Sequence, residues 1–427
     1  MFWKVLFKIG QYLRNPSLDE RFMFLKQAES WSLEKLEAYQ LNQLIELLSV
    51  AYHHSSFYFN AFTNAGIVPE DIKSLDDLKR LPCISKKELI AFNKEIHTKK
   101  EFKKKFSCST SGTSGESLQF QREEKADSFN RAAIFRGYSW YHVKPWERNG
   151  YFWGFNFGGI SKLKTKLLDW LQNRFRLFSY KDDELKSFVT KLQNSAYLHG
   201  YASMVYGVAK YINEHQISKP KQLKMVKGTS EKIQESYQSE IQKAFGMKMI
   251  SEYGAAETGI IAFECPKGNM HINMEGVLVE EENNEIIVTN LQMHSFPIIR
   301  YRLGDYITLA PKEKKCSCGL HHPILEEVNG RKGAMVVGKT QDYPSLYFYY
   351  IFKNIGLKGL NFTYQVQQHQ KGELLFLIEQ KISSAEINIL RKEIERYFQH
   401  DVTYQIQDNQ KICSEKKKSQ SFISTIN

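Results

Sequence analysis

The rhythm of apolar and polar positions changes several times along the chain. Residues 17–56 carry apolar side chains at helical spacing, as at Leu41, Leu44, Ile45, Leu48 and Tyr52, and predict helix. Two punctuating segments follow, Ile67-Val68-Pro69 and Leu81-Pro82-Cys83-Ile84-Ser85, which bound short helices. Ser85 is placed to cap a helix that begins at Lys86. The first hundred residues therefore read as helical. From about residue 105 the pattern alternates, with short apolar runs at Tyr151–Phe155, Ala196–Tyr201 and Met247–Ser251. Between them lie amphipathic stretches such as Asp182–Leu192 and Ser230–Phe245. Buried strands alternating with helices predict an α/β fold whose sheets are covered by helices.

The pattern shifts again over residues 276–310. Val277 to Glu280, Glu285 to Asn290 and Tyr306 to Ala310 read as strands of a smaller antiparallel region. Glycines flank basic residues at Asn329-Gly330-Arg331-Lys332-Gly333, which marks a hinge. Beyond it the pattern predicts a helix near Leu346–Asn354, strands near Tyr364–Gln368 and Leu374–Ile378, a helix at Ser384–Phe398 and a strand at Val402–Gln407. The expected organisation is a large α/β domain of several subdomains over 1–330, helical over 1–100, and a small α+β domain over 331–427. A chain of 427 residues exceeds one typical core, which agrees with that division.

Composition narrows the class without deciding the function. With 42% hydrophobic and 25% charged residues, the chain reads as a soluble globular protein. No apolar run reaches the roughly 20 residues that a transmembrane helix needs. The segment Met1 to Ile9 is apolar and basic but too short and interrupted for a secretory signal. It reads either as a surface helix packed on its own domain or as an amphipathic helix resting on a membrane or partner. The net charge of +12 suits anionic partners. Its lysine runs, however, lack the interleaved aromatics of a nucleic-acid binder, and no nucleic-acid partner is expected. Six cysteines argue against a disulfide scaffold and for a reducing, cytoplasmic setting.

Candidate chemistry begins at Ser109-Thr110-Ser111-Gly112-Thr113-Ser114-Gly115. Glycines let backbone amides crowd together and the hydroxyls add uncharged donors, a nest suited to phosphates. Three further motifs follow in order. They are Glu252-Tyr253-Gly254-Ala255-Ala256-Glu257-Thr258-Gly259, then Pro297-Ile298-Ile299-Arg300-Tyr301-Arg302-Leu303-Gly304-Asp305, then the Gly330-Arg331 hinge. Together they resemble the adenylate-forming superfamily of acyl-CoA synthetases, adenylation domains and luciferases. Within it the chain is similar to the phenylacetate–coenzyme A ligase branch, near members associated with capsular polysaccharide biosynthesis. The similarity runs from about residue 45 to the C-terminus, and includes Asp71 to Pro82 and Leu198 to Ser203.

That resemblance implies an ATP-dependent enzyme that converts a carboxylic acid to an acyl-adenylate and then transfers the acyl group. Coenzyme A is the default acceptor, and a carrier-protein thiol or an amino sugar uses the same first half-reaction. It implies that Ser109 and Thr110 to Gly115 hold the outer phosphates of ATP, and that Tyr253, Gly254 and Ala255 receive adenine. It further implies Mg²⁺ on Glu257, ribose on Asp305, the nucleotide on Arg331, and a lysine at Lys418 bridging ATP and the carboxylate. Each residue type suits its role: magnesium prefers carboxylate oxygens, and a carboxylate accepts from two hydroxyls. Departures from the family are Ala256 in place of threonine, Glu116-Ser117 after the loop, Lys332-Gly333-Ala334 after the hinge, and Lys416-Lys417-Lys418 without a glycine. They keep a second reading open, a non-catalytic nucleotide-binding relative.

The cysteines are unevenly distributed. Cys83, Cys108 and Cys413 are single, whereas Cys265 lies near His271 and Cys316 pairs with Cys318. The last four supply the ligands of a closed tetrahedral zinc site, with His321 and His322 as alternative nitrogens. The phenylacetate–coenzyme A ligase branch implies the same structural zinc. Aromatics between about 150 and 260 (Tyr151, Phe152, Trp153, Phe155, Phe157, Tyr201, Tyr206) read either as an acid pocket or as core.

Overall fold

The computed structural model describes residues 1–110, 117–152, 159–177, 182–230, 233, 235–330, 335–360, 362, 364–378, 380–410 and 422–426. They fall into two compact units, Met1–Cys108 with Gln119–Gly330, and Ser109–Leu118 with Arg331–Asn427.

The first unit opens with helices Phe2–Arg14, Leu18–Ala28, Leu33–His54 and Ser56–Ala65. Ser32 starts the third by accepting a hydrogen bond from the Lys35 amide at 3.3 Å. Its buried residues are Leu36, Gln40, Leu44, Leu47, Leu48, Val50 and Ala51. Ile45 belongs to the apolar periodicity of the sequence yet is 37% exposed, because it stands about 100° round the helix from Leu44. Ser85 does cap the helix Lys86–Ala91: it accepts from the Glu88 amide at 3.3 Å while Glu88 accepts from the Ser85 amide at 2.8 Å.

The centre of this unit is one sheet of eleven strands. From edge to edge it runs Val277–Glu282, Glu285–Asn290, Tyr301–Leu309, Ile324–Gly330, Met270–Ile272, Gly259–Glu264, Met249–Ala255, Met225–Thr229, Tyr197–Tyr201, Asn149–Phe152 and Arg174–Arg176. The last five are parallel and alternate with helices, as the sequence rhythm predicts. From Gly259–Glu264 to Val277–Glu282 all pairings are antiparallel. The antiparallel region is therefore continuous with the parallel one. Strands Ile324–Gly330, Met270–Ile272 and Gly259–Glu264 make the connection; none was read from the sequence, and Met270–Ile272 has too few residues to show a period. The link between the halves is narrow, resting on the pairs Ile324↔His271 and Leu325↔Met270.

Helix Glu124–Trp140 lies against this sheet, and its Tyr138 packs with Tyr197, Met225, Ile250 and Phe263. Gly137 permits the close approach, since a Cβ there would stand 2.6 Å from the Phe263 ring.

The second unit has a four-stranded sheet ordered Thr403–Gln407, Glu373–Ile378, Tyr364–Gln368 and Phe422–Ser424. Helices Leu346–Gly356 and Ser384–Phe398 cover it, burying Phe348, Ile351, Ile355, Val366, Phe376, Leu390, Ile394 and Phe398. Each such side chain removed from water contributes about 1.5–3 kcal/mol. Among the described residues of 331–427 the α+β pattern read from the sequence is present, with Met335–Val337, Asp342–Pro344 and Phe422–Ser424 as additional strands.

Candidate functional site

The first motif residues lie where strand Met249–Ala255 turns into strand Gly259–Glu264. Gly254 has no room for a side chain, because a Cβ would come within 2.4 Å of the Gly259 carbonyl oxygen. The turn is braced from several directions. Thr258 Oγ1 accepts from the Ala255 amide at 3.2 Å, and Asn290 Nδ2 donates to the Thr258 carbonyl at 3.0 Å. The buried Arg122 guanidinium donates to the Ala256 carbonyl. Ala256 itself is exposed.

The second motif forms strand Tyr301–Leu309. Its register against Glu285–Asn290 shifts between Arg302 and Tyr306, where Gly304 takes a φ of 84°, so the simple alternation of the strand is interrupted before Asp305. The strand begins against the segment before Ser85: the Ile84 amide donates to the Arg300 carbonyl at 3.0 Å, and the Arg302 amide to the Ile84 carbonyl at 2.9 Å. Arg300 takes a left-handed φ of 48° and is anchored by Glu280 at 3.1 Å and the Lys79 carbonyl at 3.0 Å.

Two hydrogen bonds join these motifs. The Tyr253 hydroxyl donates to Asp305 Oδ2 at 2.8 Å. The Tyr301 hydroxyl donates to Glu257 Oε1 at 3.0 Å. Each motif thus contributes one tyrosine that holds a carboxylate of the other. Glu257 is only 4% exposed and Tyr301 fully buried, whereas Tyr253 and Asp305 are half-buried. Two carboxylates and an aromatic ring are gathered, with Asp305 partly open to solvent. Such a set can bind a cation through Glu257 and accept hydroxyl donors at Asp305. The sequence reading named Tyr253, Gly254, Ala255, Glu257 and Asp305, and these lie together. It gave no role to Tyr301 or Arg122. Tyr301 stands inside the second motif but nothing in the local pattern marks its role, and nothing local marks Arg122.

In the other unit, Ser109 and Thr110 enter the Ser/Thr/Gly run. The Thr110 amide donates to the Leu118 carbonyl at 2.9 Å, and Thr110 Oγ1 accepts from the Leu118 amide at 3.0 Å. Thr110 is therefore tied to Leu118 through both its backbone and its side chain. Ser111, Gly112, Thr113, Ser114, Gly115, Arg331 and Lys418 lie outside the described residues.

Cys265, His271, Cys316 and Cys318 converge, with their ligand atoms within 4.8 Å of one another. Cys265 and Cys316 sulfurs are 3.7 Å apart, and Cys318 Sγ is 3.2 Å from His271 Nε2. Two sulfurs each 2.3 Å from a tetrahedral zinc stand about 3.8 Å apart, so the donor set and spacing fit that ion. His271 Nδ1 sits 2.9 Å from the His322 carbonyl, which leaves Nε2 toward the sulfurs and fixes the tautomer needed for ligation. Behind it, His322 Nε2 is 3.0 Å from Glu275, which Arg136 also contacts at 2.7 Å. Burial opposes ionisation of Glu275, but Arg136 and His322 outweigh it and hold the carboxyl at about 2. The cluster coincides with the narrow link in the sheet, since His271 is also the strand partner of Ile324.

A polar row crosses the parallel strands beneath helix Glu124–Trp140. Lys227 pairs with Glu252 at 2.5 Å, both buried. His199 Nδ1 lies 3.2 Å from the Tyr138 hydroxyl and Nε2 3.3 Å from Asn149 Oδ1. Burial, with Lys227, Arg174 and Arg176 nearby, holds this imidazole well below its ordinary pKa. Of the aromatics noted in the sequence, Phe152 and Tyr201 are core, Tyr151 packs on His199 at 4.8 Å and Tyr206 stacks on Tyr237 at 4.2 Å. Trp153, Phe155 and Phe157 lie outside the described residues.

No protein-family profile matches the chain. It is 23% identical over 332 residues to Protein CapK of Staphylococcus aureus, covering 71% of this chain and 70% of that protein. It is 35% identical over 65 residues to phenylacetate-coenzyme A ligase of Escherichia coli K12, 15% of each chain. It is also 33% identical over 94 residues to indoleacetate–lysine synthetase of Pseudomonas savastanoi, 20% of this chain and 23% of that one. Among solved structures, 2-hydroxyisobutyryl-CoA ligase with 2-HIB-AMP and CoA in its thioesterification state aligns with a TM-score of 0.66 at 17% identity. That alignment covers 93% of this chain and 91% of the ligase. An open conformation of the same ligase gives 0.59 at 15% identity, covering 93% of each.

Proposed function

We propose that this chain, which belongs to the adenylate-forming superfamily of ligases, activates a small carboxylic acid as its acyl-adenylate and passes the acyl group to coenzyme A. In the first step a carboxylate oxygen attacks the α-phosphorus of ATP. The new bond is acyl–oxygen to phosphorus, and the bond to pyrophosphate breaks. In the second step a thiolate attacks the acyl carbon and AMP departs. Two anions meet in the first step, so catalysis rests on charge neutralisation and positioning.

The observation that carries this reading is the paired contact of Tyr253 with Asp305 and of Tyr301 with Glu257. It gathers the residues to which the resemblance gives adenine, ribose and magnesium. Asp305 accepts the ribose hydroxyls, Tyr253 flanks adenine beside Gly254 and Ala255, and Glu257 holds Mg²⁺ with its carboxylate oriented by Tyr301. Ser109, Thr110 and the run to Gly115 cradle the outer phosphates. Arg331 and Lys418 bring positive charge to the nucleotide and the carboxylate. Cys265, His271, Cys316 and Cys318 hold a structural zinc that pins the sheet where its halves join. Reduced thiolates of this kind suit the cytoplasm.

A second acceptor is kept open by the relative whose name joins indoleacetate to lysine. An amine, such as an amino sugar of a surface polysaccharide, or a carrier-protein thiol would then take the acyl group. Hydroxylamine traps acyl-adenylates as hydroxamates whatever the natural acceptor. With ATP, Mg²⁺ and a panel of aryl, aliphatic, hydroxy and amino acids, one acid class should yield hydroxamate. Tight ATP binding with no hydroxamate from any class would favour a non-catalytic nucleotide-binding relative.

A further inference from the structure

Helix Phe2–Arg14 buries none of its thirteen residues below the surface, although it is strongly amphipathic. Trp3 and Phe7 hold it to the body of its unit, through ring contacts with Trp170 at 5.3 Å and with Phe135 and Trp146 at 5.9 and 6.0 Å. The other side carries Phe2, Val5, Ile9, Tyr12 and Leu13 at helical spacing, all exposed, with Val5 at 51% and Ile9 at 54%. The neighbouring helix Gly159–Leu171, which supplies Trp170, shows the same feature. Leu163 is 72% exposed and Leu167 57%, with Leu168 and Trp170 also open. Isolated exposed leucines are ordinary; two adjacent helices each leaving an apolar stripe in water are not.

Charge identifies what covers them. Helix Phe2–Arg14 contains Lys4, Lys8 and Arg14 and no acidic residue. On the second helix Lys164 and Lys166 are exposed, and its one acid, Asp169, is buried against Arg174 and Arg176 at 2.7 and 2.9 Å. Lys8 pairs with Asp19 of the following helix at 2.5 Å and Arg14 lies 3.8 Å from Asp127, so the positive charge these helices offer to a partner comes from the exposed Lys4, Lys164 and Lys166. A second copy of a chain carrying +12 would bring like charge against like. Among the described residues no helix is long and apolar enough to cross a membrane. Apolar stripes with tryptophan, tyrosine and flanking lysines suit the headgroup boundary of a bilayer, where rings and aliphatic chains enter and ammonium groups meet phosphates.

We infer that helices Phe2–Arg14 and Gly159–Leu171 form a peripheral docking surface for an anionic phospholipid membrane. The surface shares no residue with the motifs, and it stands or falls independently of the proposed ligase reaction. The test is co-sedimentation of the full chain with unilamellar vesicles of phosphatidylcholine, with and without phosphatidylglycerol. Binding is expected to the anionic vesicles and to weaken as salt rises. Val5→Glu with Ile9→Glu, and separately Leu163→Glu with Leu167→Glu, should each lower the partition coefficient about tenfold or more. Lys164→Glu with Lys166→Glu should lower it without removing apolar area. All six positions are exposed except for part of their stems, so melting temperatures should stay unchanged and expose any variant that misfolds. No binding of the unaltered chain to anionic vesicles overturns the inference. So does equal binding to phosphatidylcholine alone, or a solution dimer that the glutamate pairs dissolve.

Discussion

The Tyr253 hydroxyl reaches Asp305 Oδ2 at 2.8 Å although the two strands that carry them are far apart in the sheet. Three strands, Ile324–Gly330, Met270–Ile272 and Gly259–Glu264, lie between them in hydrogen-bond order. In a flat sheet four spacings of about 4.8 Å would hold the strands about 19 Å apart. The sheet must therefore curl, and the contact between Tyr301 and Glu257 spans the same curl at 3.0 Å. Motif residues 52 positions apart meet only because of that curvature. If Asp305 accepts the ribose hydroxyls, Asp305→Ala removes charge-assisted hydrogen bonds worth about 1.5–3 kcal/mol. ATP affinity by calorimetry should then fall by about tenfold to a hundredfold. Tyr253→Phe removes one neutral donor and should cost about fivefold. Unchanged affinity in Asp305→Ala would remove this residue from the site.

Tyr301→Phe addresses the other contact. Glu257 is buried, and losing the Tyr301 hydroxyl leaves a carboxylate oxygen without that donor at a cost of about 1–3 kcal/mol. The variant should melt at lower temperature and require more Mg²⁺ for half-maximal activity. A lower melting temperature with an unchanged Mg²⁺ requirement would make the tyrosine a purely structural partner.

The cysteine cluster makes a prediction that does not depend on catalysis. Purified protein should contain about one zinc per chain by elemental analysis, bound by Cys265, His271, Cys316 and Cys318. Cys316→Ser should lose the metal and lower the melting temperature, since the cluster sits beside the two-pair link at Ile324 and Leu325. Full stability with no metal in either protein would refute the site.

His199 sets a pH dependence of stability. In the folded chain its pKa is held well below the ordinary value by burial, then by Lys227, Arg174 and Arg176. The unfolded chain takes up a proton near pH 6.5 and the folded chain does not. Its stabilising share is complete above the unfolded pKa and is lost as pH falls below it, at up to about 1.4 kcal/mol per pH unit. Denaturant melts between pH 7.5 and 5.5 should show this slope, and His199→Asn should flatten it.

The sequence was informative where side chains act in long periods or in ordered motifs. Three of the five parallel strands, the helices after the hinge and the Ser85 cap follow from spacing alone, whereas Met225–Thr229 and Arg174–Arg176 do not. The four metal-ligand candidates also meet as a set. The longer strands Gly259–Glu264 and Ile324–Gly330 were not read, and Met270–Ile272 and Phe422–Ser424 give no period because they have three residues each. Their pairing is imposed by neighbours distant in sequence. Tyr301 and Arg122 escaped for a related reason: each acts by bonding a residue in another motif, which only the curled sheet brings near. The exposed stripe on Phe2–Arg14 was visible as an amphipathic pattern, but the pattern cannot tell a packed face from an open one.

The most direct test of the central claim is carboxylate-dependent exchange of pyrophosphate into ATP, with Mg²⁺ present and coenzyme A absent. Adenylation predicts exchange with one class of acid, abolished in Lys418→Ala and strongly reduced in Asp305→Ala. Measurable ATP binding with no exchange across the acid panel would contradict it, and would leave a nucleotide-binding protein that no longer forms adenylates.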